Sequence, residues 1–112
     1  NNLANLLARD KKYDEAYQHA LKAFELKPNE GPVLDTLGSI ELKLNKNKDA
    51  LTHMQTAVDV LGDKVDDQVM LNYLEALFKN EQKRLAQRKI EQYEFSTEQG
   101  KASLTELINT YN

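Results

Sequence analysis

The sequence predicts an all-α protein, an α-solenoid of about three helical hairpins followed by a C-terminal capping helix. Its composition favours helix over strand, because strong helix formers abound while the 112 residues include only 4 Gly and 2 Pro. The apolar residues follow helical spacing, and the chain resembles itself after a shift of 34 residues. A period of this length is typical of helical units that bury their apolar faces against one another.

The internal repeat involves small residues as well as large ones. Five pairs of identical residues align at this shift: Leu3 with Leu37, Lys12 with Lys46, Ala16 with Ala50, His19 with His53 and Ala23 with Ala57. Small side chains are needed where two antiparallel helices approach closely, and the alanine pairs recur at such places. The repeat therefore predicts helical hairpins rather than isolated helices.

These residues resemble the tetratricopeptide repeat, a helix-turn-helix unit of 34 residues. The matches are Ala16, Ala20, Ala23 and Pro28 in the first unit, and Leu37, Gly38, Ala50, Met54 and Ala57 in the second. The second unit departs from the family at Glu41, where a large aromatic residue is usual. We therefore expect a loose helix contact around Glu41.

The chain is short enough to form a single domain, residues 1–112, with one core. The resemblance divides it into a first unit at 1–30, which lacks its opening positions, a second unit at 31–64 and a degenerate third unit at 65–99. Aligning the third unit requires a one-residue deletion in its turn. Because the first residues read as the middle of a helix, we expect the chain to be a fragment of a longer protein.

The segment after Gly100 carries a single apolar stripe. Leu104, Leu107, Ile108 and Tyr111 recur at the spacing of one helix face. This spacing predicts a helix over 101–111 that caps the last hairpin, as the ends of helical repeat proteins require. The alternative for this segment is a frayed tail.

The resemblance implies a binding function, because the first helix of each tetratricopeptide unit lines a concave groove. The predicted groove residues are Asn1, Asn2, Asn5, Arg9, Asp35, Thr36, Ser39, Lys43, Asn72, Tyr73 and Asn80. Amide groups of this kind hydrogen-bond a peptide backbone without demanding one charge. We therefore expect a protein or peptide partner in the groove, and the alternative is an ordinary solvated surface.

One subclass of the family grips a C-terminal peptide carboxylate with asparagine, lysine and arginine residues of successive first helices. Only Asn5 matches that arrangement here, since Thr36, Val69 and Tyr73 stand where the later residues of the clamp are expected. The sequence therefore argues against binding of a chaperone-type C-terminal tail.

No catalytic apparatus is visible, and no cofactor is implied. Cysteine is absent, and no zinc-protease motif, phosphate-binding loop or nucleophile elbow occurs. His19 and His53 occupy equivalent repeat positions, roughly 10 Å apart by helix packing distances, which is too far to share a metal ion. We expect both histidines to be structural or exposed, and we expect neither an enzyme nor a metal site.

Charge and hydropathy limit the partners further. A formal net charge of -3 and a pI near 5.4 argue against nucleic acid. The basic cluster of Lys79, Lys83, Arg84, Arg88 and Lys89 is interleaved with glutamates and is interpreted as a solvated helix face. No apolar run approaches the roughly 20 residues that a membrane span needs, so no direct membrane insertion is expected.

Two short stretches carry a second resemblance. Residues 1–8, Asn-Asn-Leu-Ala-Asn-Leu-Leu-Ala, and residues 32–38, Pro-Val-Leu-Asp-Thr-Leu-Gly, are similar to bacterial tetratricopeptide proteins associated with exopolysaccharide production and export. This resemblance implies a scaffold in the bacterial periplasm or cell envelope rather than in the cytoplasm.

A second hypothesis is structural. An uncapped first helix leaves Leu3, Leu6 and Leu7 without cover, and a homodimer could supply it. The chain would then be a spacer or self-association element of a longer repeat array. A third reading, in which catalysis resides elsewhere in a parent protein, is not testable from these residues.

Overall fold

The computed structural model describes residues 2–111, and every regular element in that range is helical. The prediction of an all-α protein is therefore confirmed. The seven α-helices are α1 (Asn2–Arg9), α2 (Tyr13–Leu26), α3 (Gly31–Lys43), α4 (Asn47–Leu61), α5 (Asp67–Lys79), α6 (Lys83–Gln92) and α7 (Glu98–Tyr111), with a short 3-10 turn at Gly62–Lys64.

The same turn joins the two helices of each of three hairpins. Its central residue has a positive φ, 62° at Lys11, 59° at Asn45 and 61° at Glu81. The next residue donates its backbone N–H to a carbonyl in the last turn of the first helix: Lys12 to Leu7 at 2.8 Å, Lys46 to Glu41 at 2.9 Å and Gln82 to Leu77 at 2.8 Å. These bonds satisfy carbonyl groups that a helix end leaves free, and they fold the second helix back on the first.

The third hairpin contains no deletion in its turn, so that part of the sequence prediction is wrong. The left-handed turn residues Lys11 and Asn45 lie 34 positions apart, whereas Asn45 and Glu81 lie 36 apart. The two extra residues lie between the turn of the second hairpin and the start of the third hairpin. Helix α4 has 15 residues where α2 has 14, and the connection over 62–66 is one residue longer than the connection over 27–30.

Helix α3 is at the centre of the fold. It contacts α1, α2, α4 and α5, and 9 of its 13 residues are buried. Its close approach to α4 depends on Gly38, because a Cβ added there would lie 2.5 Å from Sδ of the buried Met54. Ala50 beside it is also fully buried. The small residues of the repeat thus lie where the helices are closest.

Glu41 does not leave the loose contact that its sequence position predicts. It is 0% exposed, and its Oε1 forms a hydrogen bond of 2.7 Å with Nδ1 of His53. Phe24 packs its ring edge-on against His53 at 4.9 Å between centroids. Burial raises the pKa of Glu41, and the hydrogen bond and charge of His53 oppose part of that rise. A polar pair therefore fills the place of an aromatic side chain.

Helix α7 begins at Glu98, three residues before the predicted start. Thr97 caps it by accepting a hydrogen bond from the Gly100 backbone N–H at 2.9 Å. Gly100 lies inside the helix rather than before it, and a side chain has no room there because a Cβ would overlap the Asp67 carboxylate. On its inner side, Tyr111 stacks on Phe78 at 5.1 Å between ring centroids.

The buried Asp67 carboxylate ties the start of α7 to the start of α5. It accepts hydrogen bonds from the Thr97 backbone N–H at 2.9 Å, the Thr97 hydroxyl at 2.7 Å and the Tyr93 hydroxyl at 2.8 Å, and also from the Ser96 backbone. Burial disfavours the charged carboxylate, but these hydrogen bonds outweigh burial and lower the pKa of Asp67 below its usual range. Burial, followed by the hydrogen bond to the Asp67 carboxylate and its negative charge, raises the pKa of Tyr93 to about 12.

Enlarging a small residue at a helix crossing tests the packing. Ala50→Leu places a larger side chain in a fully buried site and should lower the free energy of unfolding by roughly 1 to 3 kcal/mol, because overpacking forces neighbouring side chains from their preferred rotamers. Chemical denaturation measures the change. Ala102→Leu, on the exposed side of α7, is the matched control. Unchanged stability of Ala50→Leu would contradict the close approach of α3 and α4.

Neutralising Asp67 tests the tie between α5 and α7. Asp67→Asn keeps the size of the side chain but removes the charge that donors of Tyr93, Ser96 and Thr97 share, so its melting temperature at pH 7 should be lower than that of the wild type. A group with a lowered folded pKa stabilises above its unfolded pKa, about 4 for an aspartate, and that contribution is lost as the pH falls further.

The difference in melting temperature between wild type and Asp67→Asn should therefore be constant near neutrality and shrink below about pH 4. Asp63→Asn, at an exposed position of the 3-10 turn, is the control and should show no such difference. A gap that stays the same down to pH 3 would show that the charge of Asp67 is not responsible.

Candidate functional site

Helices α1, α3 and α5, the first helices of the three hairpins, form one face of the molecule. Helix α3 contacts both of the others. Their side chains line a depression of about 410 Å³, whose lining residues are Asn5, Asp35, Thr36, Ser39, Leu42, Lys43, Gln68, Asn72 and Glu75. A second depression of about 640 Å³ adjoins it and adds Ala8, Arg9, Tyr13 and Ile40. We call the two depressions together the polar trough.

Seven of the eleven residues predicted for the groove line this trough. They are Asn5, Arg9, Asp35, Thr36, Ser39, Lys43 and Asn72. They meet because residues four apart share one face of a helix, as in the series Asp35, Ser39 and Lys43 on α3. The packing of α1 and α5 against α3 then brings the three faces together.

Tyr73 is not a groove residue, which corrects its assignment from sequence. It is 0% exposed, and its hydroxyl donates a hydrogen bond to Gln55 Oε1 on α4 at 2.6 Å. The reason is register. With the third hairpin displaced by 36 residues, Tyr73 is equivalent to the buried Leu37, and Asn72 is equivalent to Thr36.

Three further predicted residues lie outside the trough. Asn80 ends α5 and donates its side-chain N–H groups to the carbonyls of Asn47 at 2.8 Å and Ala76 at 2.7 Å, so it joins α5 to α4. Asn2 is exposed in the first turn of α1 but lines neither depression. Asn1 lies outside the described residues.

A chain of amide hydrogen bonds forms the floor of the trough. Gln68 Nε2 donates to Asn72 Oδ1 at 3.2 Å, and Asn72 Nδ2 donates to Asp35 Oδ1 at 2.9 Å across the boundary between α5 and α3. Burial raises the pKa of Asp35. The hydrogen bond from Asn72 opposes this rise, and the negative charge of Asp66 adds to the rise. Asp35 is thus held in place by Asn72.

Glu75, which lines the trough, is paired with Lys79 one turn further along α5. Lys79 Nζ donates to the Leu42 carbonyl at 3.0 Å and lies 3.8 Å from Glu75 Oε2. The lysine therefore satisfies a carbonyl at the end of α3, where its positive charge also suits the helix dipole. The Lys79 ammonium group is therefore already engaged by groups of the protein itself.

Sequence reasoning missed Gln68, Glu75 and Tyr13 as lining residues. Gln68 lies in the first turn of α5, which begins at Asp67 with Asp66 as its cap. The Asp66 carboxylate accepts the Val69 backbone N–H at 2.9 Å. An aspartate three residues before an apolar run was the available signal.

No protein-family model matches the chain, and no curated protein matches it. Within residues 2–111, no helix combines the length and apolar character needed to cross a membrane. The part of the chain that the structure describes also brings no three potential metal ligands of the His, Cys, Asp and Glu types together.

Proposed function

We propose that this chain is a tetratricopeptide-type interaction module, an α-solenoid of three hairpins whose polar trough binds an extended segment of a partner protein. The observation that supports this proposal most directly is the convergence of polar side chains from α1, α3 and α5 on one continuous trough. Such a surface is built by helices of three separate hairpins, which are held by packing on their other faces.

The repeat frame supports the solenoid. The same left-handed turn follows α1, α3 and α5, at intervals of 34 and 36 residues. In the second and third hairpins the second helix buries fewer residues than the first, three in α4 against nine in α3 and one in α6 against eight in α5. This division into an inner and an outer layer is what a row of helical hairpins produces.

The chemistry of the trough suits a peptide backbone. Asn5 and Gln68 are exposed amides, and each can both donate and accept a hydrogen bond. Together the two depressions extend from α1 to the start of α5, which is the form of a site for an extended segment rather than for a small compact ligand. Binding would be reversible, with specificity set by the shape and hydrogen-bonding groups of the trough.

Replacing two trough amides tests the binding function. The double variant Asn5→Ala and Gln68→Ala should lose a partner that the wild type retains from a bacterial envelope extract, because both side chains are exposed and face the trough. The envelope is the chosen source because of the resemblance to bacterial envelope proteins. Retained proteins are identified by mass spectrometry and then tested with purified components by calorimetry.

The control is Gln18→Ala with Gln87→Ala, two exposed amides on the outer helices α2 and α6. It removes the same chemical groups outside the trough and should retain the partner. Both double variants must melt at the wild-type temperature. Loss of binding in the control alone would move the site to the outer helices and contradict the proposal.

A second candidate function is self-association, as in a spacer or dimerisation element. The observation that favours it is the apolar surface of α1, where Leu3 is 48% exposed and Leu6 is 51% exposed. Two neighbouring leucines on one helix face, three residues apart, form a small patch that a second copy of the chain could cover.

Light scattering at high protein concentration tests self-association. If α1 forms the contact, Leu3→Lys with Leu6→Lys should convert a wild-type dimer to a monomer, because two charges would have to be buried at the contact. Leu26→Lys is the control, since Leu26 is 82% exposed at the end of α2. A wild-type chain that is monomeric at all concentrations would eliminate this candidate.

A further inference from the structure

The charges that line the polar trough change in sign from one end to the other, with Lys43 between the two ends. The depression beside α1 is lined by Arg9 and Lys43, and none of its lining residues is acidic. Acidic residues enter with the neighbouring depression, which is lined by Asp35 and Glu75 together with Lys43, the lysine that lines both depressions. A third depression, which shares Gln68 with the trough and has a volume of about 280 Å³, contains Asp66 and Asp67 and no basic residue.

The two cations that line the depression beside α1, Arg9 and Lys43, have no acidic partner within the described residues. Both side chains are exposed, and neither forms an ion pair with any residue in the described range. Lys79, by contrast, is engaged by Glu75 and the Leu42 carbonyl. The chain has a formal net charge of -3, yet Arg9 and Lys43 line one depression together, and no acidic residue lines it with them.

The carboxylates further along the trough limit what those cations can bind. Asp35, Asp66 and Glu75 would repel a ligand that carries negative charge along its whole length, such as a nucleic acid or a uronic-acid polysaccharide. A ligand with one localised acidic group meets attraction at one end and no such repulsion at the other. A peptide with an acidic side chain followed by neutral or basic residues fits this pattern.

We propose, building on the binding function above, that the trough binds a partner peptide in one direction. An Asp or Glu side chain of the peptide lies between Arg9 and Lys43, and the uncharged or basic part of the peptide lies over Gln68, Asn72 and Asp35. The anionic group is a side chain within the peptide, because a C-terminal carboxylate clamp needs cations on the third first helix, and the α5 residues that line the trough, Gln68, Asn72 and Glu75, include none.

Selection from a displayed library of linear 12-residue peptides tests this inference. The wild-type protein should enrich peptides that contain Asp or Glu. The best binder is then synthesised in two forms, one as selected and one with each acidic residue replaced by its amide. The Kd of each form is measured by fluorescence anisotropy at low and high salt.

The decisive variant is Arg9→Gln with Lys43→Gln. Its Kd for the acidic peptide should be about tenfold higher than that of the wild type, a loss of about 1.4 kcal/mol of binding free energy. Its Kd for the amide form should equal that of the wild type. The matched control is Lys22→Gln with Lys48→Gln, which removes two exposed cations from the outer helices α2 and α4. The control changes the net charge equally, so it should bind both peptides as the wild type does.

Each other result overturns the proposal in a recognisable way. If both peptides bind equally well but Asn5→Ala with Gln68→Ala abolishes binding, the charge assignment is wrong and the binding function stands. If neither pair of trough variants changes the Kd, or if no peptide is enriched, both proposals fail. If polygalacturonate competes with the peptide at equal concentration of charge, the site recognises a polyanion instead.

Discussion

The fold depends on the close packing of α3 among its neighbours. This helix contacts α1, α2, α4 and α5, and it can do so because Gly38 leaves room for Met54 and because Ala50 is small. A hairpin of two short helices cannot bury its apolar face alone, so each hairpin needs the next one for stability. The one face of α3 that remains open carries Asp35, Ser39 and Lys43. The packing that stabilises the protein therefore also determines which side chains are free to bind.

Much of the architecture was predictable because helix patterns are local. Small residues at a fixed interval, apolar residues at helical spacing and the stripe ending at Tyr111 all arise from contacts within or between neighbouring helices. Trough residues on α1 and α3, such as Asn5 and Lys43, were predictable for the same reason, since those two hairpins share one register. The geometry of the trough supports the proposal that it binds a partner, and the binding experiments test that proposal.

The errors arose where a contact joins distant parts of the chain. Tyr73 was assigned to the surface because two extra residues between the second and third hairpins shift the register, and their position is not evident in the sequence. Glu41 was expected to loosen a contact because it stands where a large aromatic residue is usual, but His53, 12 positions later on the facing helix, pairs with it. The Asp67 network joins residues about 30 positions apart, and no local pattern reports such a pairing.

The arrangement of α7 has a consequence for local unfolding. Helix α7 lies at backbone contact distance from α5 alone, and its first turn is fastened by the Asp67 carboxylate. It can therefore detach without disturbing the first two hairpins, and its amide hydrogens should exchange with solvent through such partial opening. The amides of α3 have no comparable route, because freeing them requires separation from four helices. Protection of the amides from exchange should thus decrease from the centre of the molecule towards α7. By holding the first turn of α7, Asp67 controls how often the face of α5 that Tyr111 covers becomes exposed to solvent.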